Sequence, residues 1–190
     1  MKQIALFASG SGSNVENIIK YFLNSSELEF PVVISNRSDA YVHERVRKLK
    51  IPSFVFKKDD FEDGTVLKFL QERKIDLIVL AGFLLKIPAN ILKAYPDRII
   101  NIHPALLPKF GGKGMYGSRV HEAVVALGEK ETGITIHFVN ENYDEGRIIF
   151  QAKCTVLPND SPDDVAAKVH ALEYEHYPRM IGEVANSIWK

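Results

Sequence analysis

The sequence predicts an α/β fold: a mostly parallel, twisted, Rossmann-like sheet with helices on both faces and an antiparallel extension near the C-terminus. Short apolar runs, of which residues 76–81 are the clearest, continue without polar interruption, as in strands covered on both faces. Over the first 100 residues these runs alternate with helical patterns, which is the order of a right-handed parallel sheet. After residue 130, polar and apolar residues alternate within the strand-like runs, which indicates antiparallel strands.

Each element follows from its own local pattern. Strands are predicted over residues 4–8, 31–34, 53–56, 76–81, 99–102, 133–139 and 147–156. Apolar spacing predicts helices over residues 15–21, 42–49, 66–70, 87–95 and 161–185. Pro88 is expected in the first turn of its helix, and Ser161 as the N-cap of the last one, ahead of two aspartates that complement the helix dipole. We expect one domain over residues 1–190, without internal repeats or a flexible linker.

Composition and charge argue against several classes of protein. Lys and Arg number 24, as do Asp and Glu, so the basic excess of nucleic-acid-binding proteins is missing and no nucleic-acid partner is expected. Cys154 is the one cysteine, which excludes an internal disulfide, and we interpret it as a small hydrophobe in a strand. No apolar run approaches the roughly 20 residues of a membrane span. The sequence runs from Met1 directly into a predicted strand, so we expect no signal peptide and a cytoplasmic location. A monomer or homodimer is also expected.

A glycine-rich loop, Ser-Gly-Ser-Gly-Ser-Asn over residues 9–14, lies between the first predicted strand and helix. Exposed amides and the helix dipole favour an anion at such a position. Val15 stands where a dinucleotide fingerprint has its third glycine, and no Lys-Ser/Thr pair follows as in a Walker loop. Two interpretations remain: a monophosphate site, or an ordinary tight turn in which Ser13 or Asn14 caps the helix.

Asn101 and His103 are two residues apart at the end of a predicted strand, so their side chains point the same way. The carboxyl ends of strands form the crevice in which open α/β sheets bind ligands. A hydrogen-bonded core histidine is the alternative interpretation for His103. Asp144 lies in a polar turn, where spacing alone indicates only a solvated aspartate, and Glu173 lies at the edge of an apolar helical stripe, where a solvated glutamate is the default.

Residues 101–108, Asn-Ile-His-Pro-Ala-Leu-Leu-Pro, together with Asp-Glu-Gly at 144–146, resemble the signature of the folate-dependent formyltransferases. The glycine loop, Leu-Ala-Gly-Phe at 80–83 and Thr-Ile-His-Phe-Val at 135–139 are similar to the same family. The resemblance runs from Lys2 to about residue 185 with the motifs in family order. It favours the branch that formylates glycinamide ribonucleotide.

The resemblance implies transfer of the formyl group of 10-formyltetrahydrofolate, a co-substrate, to the amine of glycinamide ribonucleotide, a step of de novo purine biosynthesis that needs no metal. It implies Asn101, His103 and Asp144 as catalytic residues: the first two as oxyanion donors, His103 also as a proton carrier, and Asp144 as the group that orients the imidazole or relays protons through water. It also implies a nucleotide-phosphate half over residues 1–100 and a folate and catalytic half over residues 101–190.

The same resemblance implies two sets of binding residues. The ribonucleotide set comprises Gly12, Ser13, Asn14, His170, Ala171, Leu172 and Glu173, with Glu173 on the substrate amine. The folate set comprises Leu84, Leu85, Lys86, Ile87, Asn101, Asn140, Glu141, Asn142, Tyr143 and Asp144, through main-chain groups in large part. For Leu84 and Leu85 a plain core role stays open. His121 and His137 match family histidines, for which a scaffold role is an equal alternative.

Two features depart from the family pattern. Gly64 stands where many members carry an arginine, and Lys57 or Lys58 is a candidate substitute. The loop over residues 110–117 is longer and richer in glycine, which favours a mobile flap with Lys113 as an anion contact, or else a plain surface loop. The resemblance also implies a cis bond between Leu107 and Pro108.

Three other functions are alternatives to this interpretation. Formyltetrahydrofolate deformylases share the signature but typically add an N-terminal domain, and methionyl-tRNA formyltransferases add a C-terminal domain and a different stretch after Leu-Leu-Pro. Neither feature is seen in this sequence. A non-catalytic nucleotide-binding module would keep the glycine loop without needing Asn101 and His103 together.

Overall fold

The computed structural model describes residues 1–188 and is organised around one seven-stranded sheet. The strands are β1 (Lys2–Phe7), β2 (Leu28–Ser35), β3 (Ser53–Val55), β4 (Leu77–Leu80), β5 (Ile99–His103), β6 (Glu131–Phe138) and β7 (Ile148–Thr155). Their spatial order is β3-β2-β1-β4-β5-β6-β7. β1 to β5 pair in parallel, whereas β6 and β7 are antiparallel to their neighbours. The predicted fold class, including the antiparallel extension, is confirmed.

Helices cover both faces of the sheet, as predicted. They are α1 (Ser13–Tyr21), α2 (Val42–Lys48), α3 (Lys58–Glu62), α4 (Thr65–Glu72), α5 (Ala89–Ala94), α6 (Ser118–Ala126) and α7 (Pro162–Ser187). Apolar residues of α1, α2, α6 and α7 share one core cluster with one face of the strands. Those of α3, α4 and α5 share a second cluster with the other face. In β1 and β4, successive side chains enter opposite clusters, which explains the uninterrupted apolar runs of these strands.

Two helices were not predicted, and one begins later than predicted. α3 has five residues and is too short to show a period, while α6 follows a glycine-rich loop that obscures its start. α5 begins at Ala89, and Pro88 precedes it in an extended conformation (φ −76°, ψ 162°), so the expectation of Pro88 in the first turn was wrong by one position. The Ser161 cap is confirmed: its Oγ accepts a hydrogen bond from the Asp164 amide at 3.2 Å. Cys154 lies in β7 and is partly buried against the first cluster.

The topology places two loops and one strand end around a common crevice. The chain leaves β1 toward β2 on one side, whereas β4 lies on the other side, so the loops after β1 and β4 diverge at the point where the strand order reverses. These loops are joined, because the Ser9 amide donates to the Gly82 carbonyl at 3.0 Å and the Leu84 amide donates to Ser9 Oγ at 2.8 Å. β5 lies next to β4 and is the last parallel strand. Its residue Asn101 therefore has Leu80 of β4 as its neighbour on one side and His137 of β6 on the other.

Candidate active site

A cavity of about 750 Å³ opens at the carboxyl edge of the parallel strands. Its lining comes from the glycine loop, from residues 81–84 after β4, from the end of β5, from residues 112–119 and from α7. Asn101, His103 and Asp144 all line it, as do Gly12, Ser13 and Asn14. Residues predicted from distant parts of the sequence therefore meet in one cavity.

The side-chain amide of Asn101 is oriented by His137 on the neighbouring strand. His137 Nδ1 lies 2.8 Å from the Phe138 carbonyl, which can only accept, so Nδ1 carries the hydrogen. In the neutral ring, His137 Nε2 is then the acceptor for Asn101 Nδ2, 3.2 Å away. One N–H of the Asn101 amide is held in this way, and the second remains available to a ligand in the cavity.

His103 is almost fully buried, with 4% of its surface exposed. Its Nε2 lies 2.7 Å from the Phe110 carbonyl and therefore donates to it, which leaves Nδ1 as the atom that titrates. Asp144 Oδ2 lies 3.6 Å from that Nδ1. Burial lowers the pKa of His103, and the opposing effects of Asp144 and of the Phe110 carbonyl are smaller. The imidazole is thus neutral near pH 7 and has an anion beside its free nitrogen.

Asp144 is held in a left-handed backbone conformation (φ 57°) between two histidines. Its Oδ2 accepts a hydrogen bond from the Gly112 amide at 3.0 Å, and its Oδ1 lies 3.6 Å from His137 Nε2. Burial raises the pKa of Asp144, but His137, His103 and the Gly112 amide together outweigh that effect, so the net shift is downward. Asp144 is accordingly an anion at neutral pH, and the solvated-turn interpretation does not apply to a side chain that is 13% exposed.

Glu173 lies on α7 with 5% of its surface exposed. Asn14 Nδ2 donates to Glu173 Oε2 at 2.9 Å, and His170 Nδ1 lies 2.8 Å from the same oxygen. The hydrogen bond to Glu173 raises the pKa of His170. Both contacts use Oε2, and among the described residues Oε1 has no hydrogen-bond partner, so it can accept a donor from a ligand in the cavity.

A second pocket of about 80 Å³ adjoins the large cavity. Asn101, Tyr143 and Asp144 line both, so the two spaces meet at the candidate catalytic residues. Of the predicted folate set, Leu85, Lys86, Ile87, Asn140 and Asn142 line the second pocket as well. Leu84 is 47% exposed and lines the large cavity rather than the core.

Three residues of the predicted sets lie outside both spaces. Ala171 is exposed on α7, Leu172 packs against the first core cluster, and Glu141 is exposed in its turn. His121 lines the large cavity at 4% exposure, and burial lowers its pKa. The Leu107–Pro108 bond is cis, as the resemblance implied.

Arg119 and Ala166 line the large cavity but were not indicated by the sequence. Met115 and Tyr116 line it together with Lys113, and all three belong to the loop over residues 110–117. The guanidinium of Arg119 lies 5.1 Å from the centre of the Tyr116 ring. Neither Lys113 nor Arg119 has an ion pair within the part of the chain that the structure describes. The only available signal was the unusual length of the loop that precedes α6.

The candidate substitutes for the family arginine lie elsewhere. Lys57 precedes α3 as its N-cap, and Lys58 pairs with Glu62 at 3.4 Å. Neither lysine lines the large cavity or the second pocket.

Across residues 1–188, no group of three or more His, Cys, Asp or Glu side chains is arranged to hold a metal ion. No helix among the same residues is both long and apolar enough to cross a membrane.

Comparison with known proteins gives consistent matches over most of the chain. A family model described as formyl transferase matches residues 2–181. The chloroplastic phosphoribosylglycinamide formyltransferase of Arabidopsis thaliana is 40% identical over 190 residues, which cover 96% of this chain and 65% of the plant protein. The phosphoribosylglycinamide formyltransferase of Haemophilus influenzae is 37% identical over 188 residues, covering 95% of this chain and 86% of that relative. The chain thus spans slightly less than two thirds of the plant relative's length.

The likeness extends to three dimensions. The crystal structure of glycinamide ribonucleotide transformylase 1 from Symbiobacterium toebii superposes with a TM-score of 0.89 at 34% identity. The match covers 98% of this chain and 89% of that one.

Proposed function

The chain belongs to the formyl transferase family, and on that basis we propose that it transfers the formyl group of 10-formyltetrahydrofolate to the amine of glycinamide ribonucleotide. The names of its relatives support phosphoribosylglycinamide as the acceptor, and membership of the family supports a formyl-folate as the donor. The observation that carries the proposal is the meeting of Asn101, His103 and Asp144 in the cavity that the glycine loop also lines. A binding module would need the loop alone.

The arrangement suits formyl transfer to an amine. As the amine nitrogen bonds to the formyl carbon, the carbonyl oxygen becomes an oxyanion that requires fixed donors. The free N–H of Asn101 supplies one donor, and its orientation is set in advance by His137. The amine loses a proton, which His103 accepts at its Nδ1. Asp144 lies beside this nitrogen and stabilises the imidazolium that forms. The oxyanion then re-forms the carbonyl as the bond between the formyl carbon and N10 breaks, and the proton held on His103 passes to N10, which leaves as tetrahydrofolate.

The ribonucleotide is proposed to span from the glycine loop to α7. Amides of Gly12, Ser13 and Asn14 would hold its phosphate at the start of α1. Glu173 Oε1 would accept a hydrogen bond from the substrate amine, since Oε2 already has two partners. Lys113 and Arg119 supply positive charge to the same cavity and are proposed to attract the anionic substrates. Ala171 and Leu172 lie outside the cavity, and their contact with the substrate stays a prediction.

The folate is proposed to enter along the second pocket. Residues 85–87 line this pocket together with Asn140, Asn142, Tyr143 and Asp144, and main-chain groups of these two segments would bind the pterin. Lys86 Nζ lies 5.7 Å from the centre of the Tyr143 ring, so the two segments are in contact there. The formyl group would then lie beside Asn101, which both spaces share. A cytoplasmic location, a metal-free reaction and a monomeric or dimeric state also stay predictions.

The proposal is tested by incubating the purified protein with both substrates and identifying the products by mass spectrometry. We expect formylglycinamide ribonucleotide and tetrahydrofolate in equal amounts, with no effect of prior dialysis against a strong chelator. Formate release without the ribonucleotide would indicate a deformylase instead, and formylation of methionyl-tRNA would indicate a tRNA formyltransferase. Loss of turnover on dialysis and its recovery with zinc would contradict a metal-free reaction.

The proposed role of Glu173 has its own test. Glu173→Gln should raise KM for the ribonucleotide about tenfold, because a charge-assisted contact becomes a neutral one. KM for the folate should stay the same. Glu175→Gln is the matched control, since Glu175 lies two residues later on α7 with a side chain that is 71% exposed. An unchanged ribonucleotide KM in the Glu173 variant would remove Glu173 from the site.

A further inference from the structure

Two consecutive carbonyl groups of the glycine loop are bound from the start of α2. The Val42 amide donates to the Gly10 carbonyl at 3.1 Å, and Arg45 Nε donates to the Ser11 carbonyl at 2.8 Å. Arg45 does not line the large cavity, whereas Gly10 and Ser11 do. Arg45 therefore contacts the loop on the side that faces away from the cavity.

These two hydrogen bonds determine where the neighbouring amides point. In a planar trans peptide the C=O of one residue and the N–H of the next point in opposite directions. With the Gly10 and Ser11 carbonyls turned toward α2, the amides of Ser11 and Gly12 are turned away from α2, toward the cavity. Among the described residues, neither amide has a hydrogen-bond partner. They remain available to an anion.

Arg45 is itself fixed on two sides. Its guanidinium forms an ion pair with Glu16 of α1, and it lies 5.2 Å from the centre of the Tyr41 ring. Lys20 and Arg45 together lower the pKa of Glu16, so the pair stays charged at neutral pH. One planar side chain thus connects α2, the loop carbonyl and the first turn of α1, a geometry that a lysine ammonium does not reproduce.

We propose that Arg45 is a positioning residue for the phosphate of the substrate: by holding the Ser11 carbonyl, it aims the Gly12 amide at the anion. The inference rests on the proposed function for the identity of the phosphorylated substrate. Arg45 acts through the loop and makes no contact with the ligand. Its removal should weaken only those complexes that contain the phosphate.

The experiment compares Arg45→Met, which keeps the aliphatic stem, with Arg47→Met. Arg47 is on the same helix and pairs with Glu44 at 2.5 Å, but its side chain is 74% exposed and has no contact with the loop. Equilibrium binding is measured for glycinamide ribonucleotide, for the riboside that lacks the phosphate, and for inorganic phosphate. Arg45→Met should lower the affinity for the ribonucleotide and for phosphate about tenfold and leave the affinity for the riboside unchanged. In turnover, KM for the ribonucleotide should rise while kcat and the folate KM stay constant, and Arg47→Met should match the wild type.

An equal loss of affinity for the ribonucleotide and the riboside in Arg45→Met would indicate a merely structural role and overturn the inference. An unchanged affinity for the ribonucleotide would overturn it as well. If the Met variant does not fold, Arg45→Lys replaces it, with the same selective loss expected and the same outcomes decisive. Binding is measured without turnover, so a wild type that binds phosphate but makes no product would refute the proposed function and leave the role of Arg45 standing.

Discussion

At the scale of single residues, the candidate catalytic groups are held by partners that are themselves fixed. Asn101 is oriented by His137, and His103 is oriented by the Phe110 carbonyl. Asp144 receives a hydrogen bond from the Gly112 amide. Each group therefore faces the cavity with one free atom of known type, so the effect of removing it can be stated in advance.

Asn101→Ala should lower kcat by about 10²–10³ with substrate binding largely kept, because it removes an oxyanion donor. His103→Ala should cost at least as much, since it removes the group that takes up the amine proton and passes it on. Steady-state kinetics of both variants, with far-UV circular dichroism to check folding, would measure this. His43→Ala is the control, because His43 binds Ser53 and lies outside the cavity. A folded His103 variant with near-wild-type turnover would refute the site.

Asp144→Asn should lower the pKa of His103 further. Burial already lowers that pKa and Asp144 partly opposes the effect, so removing the negative charge removes the opposition. If neutral His103 is the active form, activity rises with pH through this pKa, and the acid limb of kcat/KM should move to lower pH in the variant. NMR titration of the His103 ring gives an independent reading, and an unchanged pKa would show that the carboxylate does not act through its charge.

Sequence alone could predict some of these residues and not others. Asn101 and His103 are recognisable because a strand end and a spacing of two are local features. Asp144 is not, because its burial depends on contacts with residues such as Gly112, 32 positions away. Arg119 was missed because an exposed arginine after a flexible-looking loop carries no local signal of a cavity.

At the scale of elements, the start of α1 is shaped by its contact with α2. Gly12 has a φ of 72°, and a Cβ there would lie 2.4 Å from Val42 Cγ2 and 2.8 Å from Val42 Cα. The glycine loop is therefore constrained by packing as well as by any ligand. From the sequence, a phosphate site and a tight turn are alternative interpretations of the loop. The backbone conformation and the packing against Val42 require a glycine at position 12 whether or not a phosphate binds there.

Gly12→Ala should lower the free energy of unfolding by about 1–3 kcal/mol, because it combines a left-handed backbone with an overlap against α2. Gly10→Ala is the matched control: a Cβ at Gly10 has nothing within 4 Å, so its stability should stay within about 0.5 kcal/mol of the wild type. Urea denaturation of the two variants measures the difference. Equal stabilities would mean that α2 moves freely away from the loop.

The strands and long helices were predictable because their apolar periods are local, whereas boundaries and short elements were not. Residues 76–81 contain β4 almost as predicted, since a strand buried on both faces needs a continuous apolar run. α3 could not be predicted, because five residues include a single buried side chain, Phe61. Pro88 fits both the first turn of a helix and the position before it, so sequence alone could not choose between them.

At the scale of the whole molecule, the proposed site draws on both predicted halves of the chain. Residues 85–87 lie in the first half but line the proposed folate pocket, and Glu173 lies in the second half but contacts Asn14. The assignment of residues 1–100 to the phosphate and 101–190 to the folate stays a prediction. Which loops meet in space depends on strand order, and single-sequence patterns do not specify that order.

Stability should fall as the pH drops below 6.5. Burial lowers the pKa of His103 and of His121 below the ordinary value of 6.5, so the unfolded chain binds these protons first as the pH falls. The free energy of unfolding therefore decreases from pH 6.5 downward until the folded histidines also protonate. His170, whose pKa is raised, opposes this trend in part. Urea titrations between pH 7.5 and pH 5, a window set by these histidines, measure the slope.

His121→Gln should make the slope of stability against pH shallower, because one of the two histidines with a lowered pKa is removed. The comparison uses the slope and not the absolute stability, so a general destabilisation by the substitution does not affect it. His43→Gln serves as control, since His43 lies outside the buried cavity. A slope identical to that of the wild type would show that His121 does not contribute to the acid sensitivity.

The hydrogen bond between Asn14 and Glu173 joins residues 159 positions apart in the chain. Closing so long a loop costs conformational entropy, and pairings of this kind limit the rate at which a protein acquires its native topology. During refolding, helical signal can return while α1 and α7 are still undocked, because each helix is a local structure. Recovery of ribonucleotide binding is thus a stricter criterion of renaturation than recovery of circular dichroism, since it requires that the two ends of the polypeptide have met.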